Sequence, residues 1–226
     1  MIWLSAVKHF INEALRNEEI YEFLREELER AGYGKADITR TPLGTRVTIY
    51  AMKPGIVIGR RGENVRELTR ILEQRFGLTN PQVAVAEIEI PEFNPNIMAS
   101  KIASDLKRGT HFRRACFWTL NRIMEAGAQG AEIVISGKLR SRRHRFEKFR
   151  AGYIPKSGEP AEKNTRTAVA HVQLKPGLIG VKVSIIPKEA TFPDRVEIIY
   201  PEQEAINEEE SEAESEVKEG NMDADN

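Results

Sequence analysis

The sequence predicts an α+β protein with two folded domains and an acidic C-terminal tail. Apolar residues recur every three or four positions in some segments and every second position in others, a mixture typical of amphipathic helices and half-buried strands in one chain. A segment bounded by Pro91 and Pro95 separates two such mixed regions and predicts a domain boundary. We therefore expect domains over residues 1–92 and 93–200, followed by a disordered tail over residues 201–226.

The net charge of zero hides a segregation of charge along the chain. The chain has 34 Lys+Arg and 34 Asp+Glu, but residues 202–226 contain 11 acidic residues and one lysine. Residues 1–201 therefore hold 33 basic and 23 acidic residues, and residues 101–150 hold 13 basic and 4 acidic ones. A basic body of this kind indicates a polyanionic partner, most often nucleic acid. The tail either improves solubility, shields the basic surface or recruits a basic partner.

Composition and spacing exclude several other classes of protein. The single cysteine, Cys116, forms no internal disulfide and is interpreted as a core residue in a reducing compartment. There is no apolar run of about 18 residues and no signal peptide, which predicts a soluble cytoplasmic protein. The four histidines show no metal-ligand spacing, and no catalytic set is apparent. We therefore expect no cofactor, no metal, no small-molecule substrate, no membrane partner and no enzymatic activity such as that of a nuclease or lyase.

The first domain is predicted to run helix, strand, strand, short helix, loop, helix, strand. Apolar residues from Val7 to Leu28 predict one or two helices with a face that packs on a core, ended by Gly32 and Gly34. The expected elements after it are strands at 36–40 and 45–51, helices at 54–58 and 63–76, and a strand at 83–90.

The loop between the two later helices, Gly59-Arg60-Arg61-Gly62, is the most informative motif of the chain, and we call it the GxxG loop. Glycines allow a sharp turn and close approach of a phosphate to the backbone. The next helix directs its positive end at that phosphate, and Arg60 and Arg61 supply forked donors. The alternative is a helix–turn–helix that merely needs two glycines, with its arginines solvated.

The element order around this loop resembles a type II K-homology (KH) domain. Such domains clamp about four nucleotides along an apolar groove, which Ile56, Val57 and Ile58 would partly line. The segment from Pro54 to Gly62 contains no aromatic residue for base stacking. We therefore expect phosphate contacts to dominate and sequence preference to be loose.

The second domain is predicted to be an α/β sandwich-like domain that contains two helices and a set of strands. The helices are expected at 96–110 and 112–126, with Ala115, Phe117, Trp118, Ile123 and Met124 available for the core. A strand is expected at 132–136, then a basic segment to residue 150 and a loop at 151–164. Strands at 165–174 and 178–186 should form a hairpin, with Lys182 and Ser184 on its wet face.

Two clusters of cations in this domain are candidate RNA contacts. Lys107, Arg108, Arg113 and Arg114 bracket Gly109, which predicts a basic elbow between two helices. Lys138, Arg140, Arg142, Arg143 and Arg145 form the second cluster. Solvated charged faces are the alternative for both clusters. Phe146, inside the second cluster, is either a core residue or a base-stacking platform.

Several segments of the second domain carry a family resemblance. They are Arg113-Arg-Ala-Cys-Phe-Trp-Thr-Leu120, Gly127-Ala-Gln-Gly-Ala-Glu-Ile-Val-Ile-Ser-Gly-Lys-Leu-Arg140 and Gly177-Leu-Ile-Gly-Val-Lys-Val-Ser-Ile185. Following a KH-like domain, they closely resemble small-subunit ribosomal protein three (the universal S-three family) in its archaeal or eukaryotic-like form. The resemblance covers roughly residues 1–200.

This resemblance implies a structural constituent of the small ribosomal subunit head. Its partners would be small-subunit ribosomal RNA, messenger RNA at the entrance through which it is threaded, and neighbouring head proteins. Arg113 and Arg114 match two positions that contact messenger RNA in bacterial relatives, whereas Phe117 stands where those relatives usually carry a lysine. The alternative function is a stand-alone KH regulator of messenger RNA or a ribosome assembly factor.

Overall fold

The computed structural model describes residues 2–42 and 44–193, except for the side chains of residues 2–6. The described residues up to Ala190 belong to one unit, and the expected tail, residues 201–226, lies outside the described residues. None of the helices in this described part combines the length and apolar character needed to cross a bilayer.

Helices and strands alternate along the described residues, as the mixed periodicity predicts. The helices are α1 (Ile2–Glu27), α2 (Pro54–Ile58), α3 (Glu63–Gln74), α4 (Pro95–Lys107), α5 (Phe112–Glu125) and α6 (Glu159–Asn164). The strands are β1 (Tyr33–Thr41), β2 (Gly44–Ala51), β3 (Gln82–Glu87), β4 (Gly130–Gly137), β5 (Arg145–Gly152), β6 (Arg166–Leu174) and β7 (Gly177–Ile186). Short 3-10 helices cover Glu29–Ala31, Arg60–Gly62 and Pro91–Phe93.

The first sheet has the strand order β1-β2-β3. The central strand β2 pairs antiparallel with β1 and parallel with β3. Parallel neighbours need a crossover connection, and α2, the GxxG loop and α3 supply it. This is the type II KH arrangement that the element order predicts. Its core consists of fully buried side chains from the helices and the central strand: Ile20, Leu24, Val47, Ile49, Val57 and Leu72.

The N-terminal segment forms one helix, and its side chains from Val7 to Leu15 are mostly exposed, which corrects the expected core face from Val7 onwards. Ile20 and Leu24 are fully buried, whereas Val7, Phe10 and Leu15 are more than half exposed. A helix of 26 residues is about 39 Å long, and a strand of nine residues spans about 30 Å. The helix therefore extends beyond the surface on which it packs. It ends before Gly32, which takes φ 72°, while Gly34 lies in β1.

The second sheet is antiparallel throughout, with the order β5-β4-β7-β6. Helix α4 packs against β6 and β7, and α5 packs against β4 and β5. Both helices lie on the same face, which confirms the predicted α/β sandwich-like domain. The apolar layer between them is fully buried: Ile102, Cys116, Ile123, Ile133, Ile135, Val181, Val183 and Ile185.

Several expectations for the second domain are wrong in detail. Strand β5 occupies part of the expected basic segment, and α6 lies in the expected loop. Phe117 and Trp118 are 51% and 61% exposed rather than in the core. Ser184 is buried rather than wet, and its Oγ lies 3.1 Å from Thr167 Oγ1. The local sequence pattern does not show which distant segments pack over a given side chain, so it does not decide whether that side chain is buried or exposed.

Polar contacts join the first and second domains around α4. Arg25 Nη2 donates to Asn96 Oδ1 at 3.1 Å and to the carbonyl of Val169 at 2.9 Å. Asn96 Nδ2 donates to the carbonyl of Gly34 at 2.9 Å. A Cβ added at Gly34 would lie 2.5 Å from Ile88 Cδ1 and 2.7 Å from Asn94 Nδ2, so a larger residue there would displace these two side chains.

Candidate nucleic-acid interface

The GxxG loop adopts backbone angles that depend on its glycines. Gly59 has φ 71° and ψ −178°, a combination accessible essentially only to glycine. Gly62 has φ 75°, and no heavy atom lies within 4 Å of the position its Cβ would take. Arg61 also lies in the left-handed region, with φ 53°. Such strain at a non-glycine residue is typical of a functional loop.

Asn64, in the first turn of α3, fixes the shape of this loop. Its Nδ2 donates to the carbonyl of Ile56 at 2.9 Å and so ties α3 to α2. A Cβ on Gly59 would lie 2.5 Å from Asn64 Cγ. No side chain caps α3 at Gly62. The N–H of Glu63 donates to the carbonyl of Arg60, which leaves the following first-turn N–H groups for an anion.

Only two of the three side chains expected to line the apolar groove beside the loop are exposed. Val57 is fully buried in the first core and cannot face a ligand. Ile56 and Ile58 are 45% and 42% exposed. Ile56 lines a pocket of about 260 Å³ together with Leu28 and Ile71. The short helix therefore offers two isoleucines to a ligand, because successive helical residues point in different directions.

The basic elbow forms as predicted, but its first two cations differ in their surroundings. Helix α4 ends at Lys107, Gly109 takes φ 89°, and α5 begins at Phe112. Lys107 Nζ donates to both carboxylate oxygens of Glu29, at 2.8 and 3.1 Å. Arg108 lies at 4.0 Å from Asp105 and keeps a largely exposed side chain. Lys107 thus ties the elbow to the first domain, while Arg108 faces solvent.

Arg113 and Arg114, the second pair of elbow cations, also differ in the residues that they contact. Arg113 makes two hydrogen bonds to Glu147, Nε to Oε2 at 3.0 Å and Nη2 to Oε1 at 3.2 Å. This contact raises the pKa of Arg113 and lowers that of Glu147. The Arg114 guanidinium instead lies 4.5 Å from the centre of the Trp118 ring, a distance typical of a cation–π contact.

Glu147 brings the two basic clusters together. After the hydrogen bond from Arg113 and the opposing effect of burial, the charges of Arg113, Arg145 and Arg140 also lower its pKa. The remaining members of the second cluster, Lys138, Arg142 and Arg143, are exposed in the turn between β4 and β5. Arg113 of the elbow and the arginines of this turn therefore form one continuous basic surface around Glu147.

Cys116 lies beneath this surface and takes no part in it. The thiol is fully buried, and burial, followed by the charge of Glu147, raises its pKa to about 12. A thiol in this state is inert at neutral pH, as expected for a core residue.

Comparison with known proteins matches both halves of the chain to family models. A model described as "KH domain" matches residues 19–93, and one described as "Ribosomal protein S3, C-terminal domain" matches residues 102–185. A protein named small ribosomal subunit protein uS3 from Methanobrevibacter smithii is 53% identical over 203 residues, covering 90% of this chain and 81% of the relative. The chain belongs to the uS3 family.

Two further uS3 proteins show the same extent of similarity. The relative from Methanothermobacter thermautotrophicus is 54% identical over 188 residues, which is 83% of this chain and 73% of the relative. The relative from Thermofilum pendens is 49% identical over 192 residues, which is 85% of this chain and 95% of the relative. The resemblance inferred from the quoted segments is thereby confirmed, including its archaeal character.

Three residues at the candidate interface of this uS3-family chain were not predicted from sequence. Asn64 clamps the GxxG loop, Glu147 joins the basic clusters, and Trp118 carries the Arg114 guanidinium. The one available signal was for Glu147, which is the only acidic residue between residues 138 and 150. An isolated carboxylate in a basic run is expected to pair with one of its surrounding cations.

Proposed function

We propose that this chain is a structural, non-enzymatic constituent of the small ribosomal subunit in the cytoplasm. It binds ribosomal RNA in the subunit head and helps to line the entrance for messenger RNA, beside neighbouring head proteins. The observation that carries the proposal is the similarity along most of the chain to proteins named small ribosomal subunit protein uS3. The GxxG geometry and the continuous basic surface supply the matching chemistry.

The proposed domain division is 1–92, 93–200 and 201–226. It is supported by two separate apolar cores, one built from residues 20–78 and one from residues 97–185. The 3-10 helix Pro91–Phe93 lies between them.

The proposed RNA contacts are the GxxG loop and the cations of the two clusters: Gly59, Arg60, Arg61, Gly62, Lys107, Arg108, Arg113, Arg114, Lys138, Arg140, Arg142, Arg143 and Arg145. We assign phosphate contacts first to the exposed cations, because Lys107 and Arg113 already hold carboxylates. Arg114 and Trp118 together offer charge and a ring at the proposed messenger RNA contact.

Charge reversal tests the RNA contacts. Arg60→Asp with Arg61→Asp, and separately Arg113→Asp with Arg114→Asp, should each weaken binding of the purified protein to a head fragment of ribosomal RNA. Each lost phosphate contact should reduce the slope of log affinity against log salt by about 0.7–0.9. Lys8→Asp with Arg16→Asp on α1 makes the same change in charge on exposed residues and serves as the control. Equal losses in all three variants would contradict the assigned sites.

Subunit sedimentation tests the ribosomal role. The protein should remain with small subunits through a high-salt wash, whereas a stand-alone regulator would dissociate. Translation through a messenger RNA hairpin should slow in the Arg113→Asp, Arg114→Asp variant if these residues act at the entrance.

A further inference from the structure

The second sheet has one face that neither α4 nor α5 covers, and we call it the uncovered face. The helices pack on the face that carries Ile133 and Val181, so the intervening strand residues point the other way. Strand register aligns those residues into two neighbouring rows. One row consists of Lys148, Val134, Lys182 and Val169, and the next of Phe146, Ser136, Gly180 and His171.

The second of these rows is a flat strip between two rings. Phe146 is 59% exposed, and His171 is exposed at the opposite edge of the sheet. Adjacent strands lie about 4.8 Å apart, so the two residues are about 14 Å apart across four strands. Between them stand only serine and glycine. A Cβ at Gly180 would lie 3.2 Å from Ser136 Oγ and 4.0 Å from His171 Nδ1, so any side chain there would crowd the strip.

The charge of the uncovered face is positive beside this strip. Lys148 Nζ lies 5.5 Å from the centre of the Phe146 ring, and Lys182 is exposed two strands away. Among the outward residues of the four strands, all of which are described, the single carboxylate is Glu132. Glu132 is paired with Lys156, so it does not neutralise Lys148 or Lys182.

One end of the uncovered face is closed by the segment that follows β5. Arg150 Nη2 donates to the carbonyl of Ile154 at 3.2 Å, and Lys156 reaches Glu132. Phe146 lies at the other end of β5, away from these contacts. The exposed strip and its two lysines are therefore the part of the face that remains accessible.

We propose that the uncovered face binds single-stranded RNA, with a base stacked on Phe146 and phosphates at Lys148 and Lys182. Four-stranded sheets with exposed aromatic side chains recognise unpaired RNA in this way. The small residues of the strip leave room for a second base towards His171. A protein partner fits less well, because lysine is depleted in the centres of protein interfaces. This surface is separate from the GxxG loop and the elbow but adjoins the second cluster, because Phe146 follows Arg145 in β5. The inference therefore extends the proposed function without depending on the loop or the elbow.

Binding of a fluorescein-labelled dodecauridine, measured by anisotropy, tests the proposal. The full-length protein is used with Arg60→Asp and Arg61→Asp in place, so that the loop does not mask the sheet. Phe146→Ala should weaken binding about five- to twentyfold, and Phe146→Tyr should restore it, because stacking needs a ring. Phe10→Ala, which removes a phenylalanine that is 70% exposed on α1, is the matched control and should change nothing.

Two further measurements identify the site directly. Lys148→Gln with Lys182→Gln should reduce the salt slope by about 1.4, the value for two single-strand phosphate contacts. Photo-cross-linking with 5-iodouracil in the same oligonucleotide should attach it to β5 or β6, at Phe146 or His171.

Unchanged affinity in Phe146→Ala, or cross-links confined to other segments, would overturn the inference. Impaired incorporation into subunits with unchanged RNA affinity would also overturn it, because that result identifies a protein partner. Failure of the GxxG and elbow assignments is a separate outcome: the charge-reversal variants would then bind normally, whatever Phe146→Ala does. Circular dichroism melts of each variant establish that the exposed substitutions leave the fold intact.

Discussion

Replacing Gly59 with alanine should unfold the first domain more easily, because this position excludes a Cβ in two independent ways. Its backbone has φ 71° and ψ −178°, which L-residues rarely adopt. The added Cβ would also lie 2.5 Å from Cγ of Asn64. That side chain would have to move, and its 2.9 Å hydrogen bond to the carbonyl of Ile56 would be lost.

The expected cost follows from these two effects. Holding alanine at such angles costs about 1–3 kcal/mol, and losing the hydrogen bond costs about 1 kcal/mol. Alanine also makes the unfolded chain less flexible, which raises the free energy of unfolding by about 0.4–1 kcal/mol. The free energy of unfolding of the first domain should therefore fall by about 2 kcal/mol.

Urea unfolding followed by circular dichroism measures this change, and two other glycines supply controls. Gly55 lies in α2 with nothing within 4 Å of its Cβ position, so Gly55→Ala should stabilise the domain by about 0.5–1 kcal/mol. Gly62 is equally open but has φ 75°, so Gly62→Ala should cost about 1 kcal/mol. The predicted order of stability is therefore Gly55→Ala, wild type, Gly62→Ala, Gly59→Ala.

A double variant separates the cost of the backbone angles at Gly59 from the cost of the clash between the added Cβ and Asn64. Asn64→Ala alone should lose the hydrogen bond, and adding Gly59→Ala should then cost less than it does in the wild type, because the clash is gone. If Gly59→Ala is as stable as the wild type, or if Gly55→Ala is equally damaging, the clamp described for Asn64 is refuted.

Three other predictions follow from burial and charge. Val57→Ala should lower the free energy of unfolding by about 1.5–3 kcal/mol, because this side chain is fully buried. Ile58→Ala, at an exposed position, should lower it by less than about 1 kcal/mol. Urea titration distinguishes the two variants. The Arg113 contact lowers the pKa of Glu147 below 4.5. The contact therefore adds to the free energy of unfolding above that pH, and this stabilisation is lost as the pH falls through the lowered pKa. Glu147→Gln should flatten the decline of the urea midpoint in that range. Cys116, with its pKa raised to about 12 by burial, should resist iodoacetamide at pH 8 until the protein is unfolded, and rapid labelling of the native protein would contradict its position in the core.

Local signals predicted the elements that surround the GxxG loop. Pro54 and Gly59 mark the bounds of α2. The element order, through its resemblance to a type II KH domain, predicts the sheet arrangement that the structure has. Strand β5 was missed for a physical reason. It is an edge strand whose outward face is exposed and whose inward face carries Glu147 beside Phe149, so it lacks the usual alternation of apolar and polar residues. The inward carboxylate is tolerated because Arg113 reaches it from α5.

By itself, the sequence determined where α1 to α5, the main turns and the glycine-dependent angles lie, and it indicated a polyanionic partner. Those properties arise from backbone preferences and charges that act within a few residues. Only the tertiary structure decided that Val57 is buried while Phe146 and Trp118 are exposed, and that Arg113 is held by Glu147 while Arg108 faces solvent. Burial and ion pairing depend on which distant segments pack together, so the same side chain serves as core or as binding surface according to its neighbours.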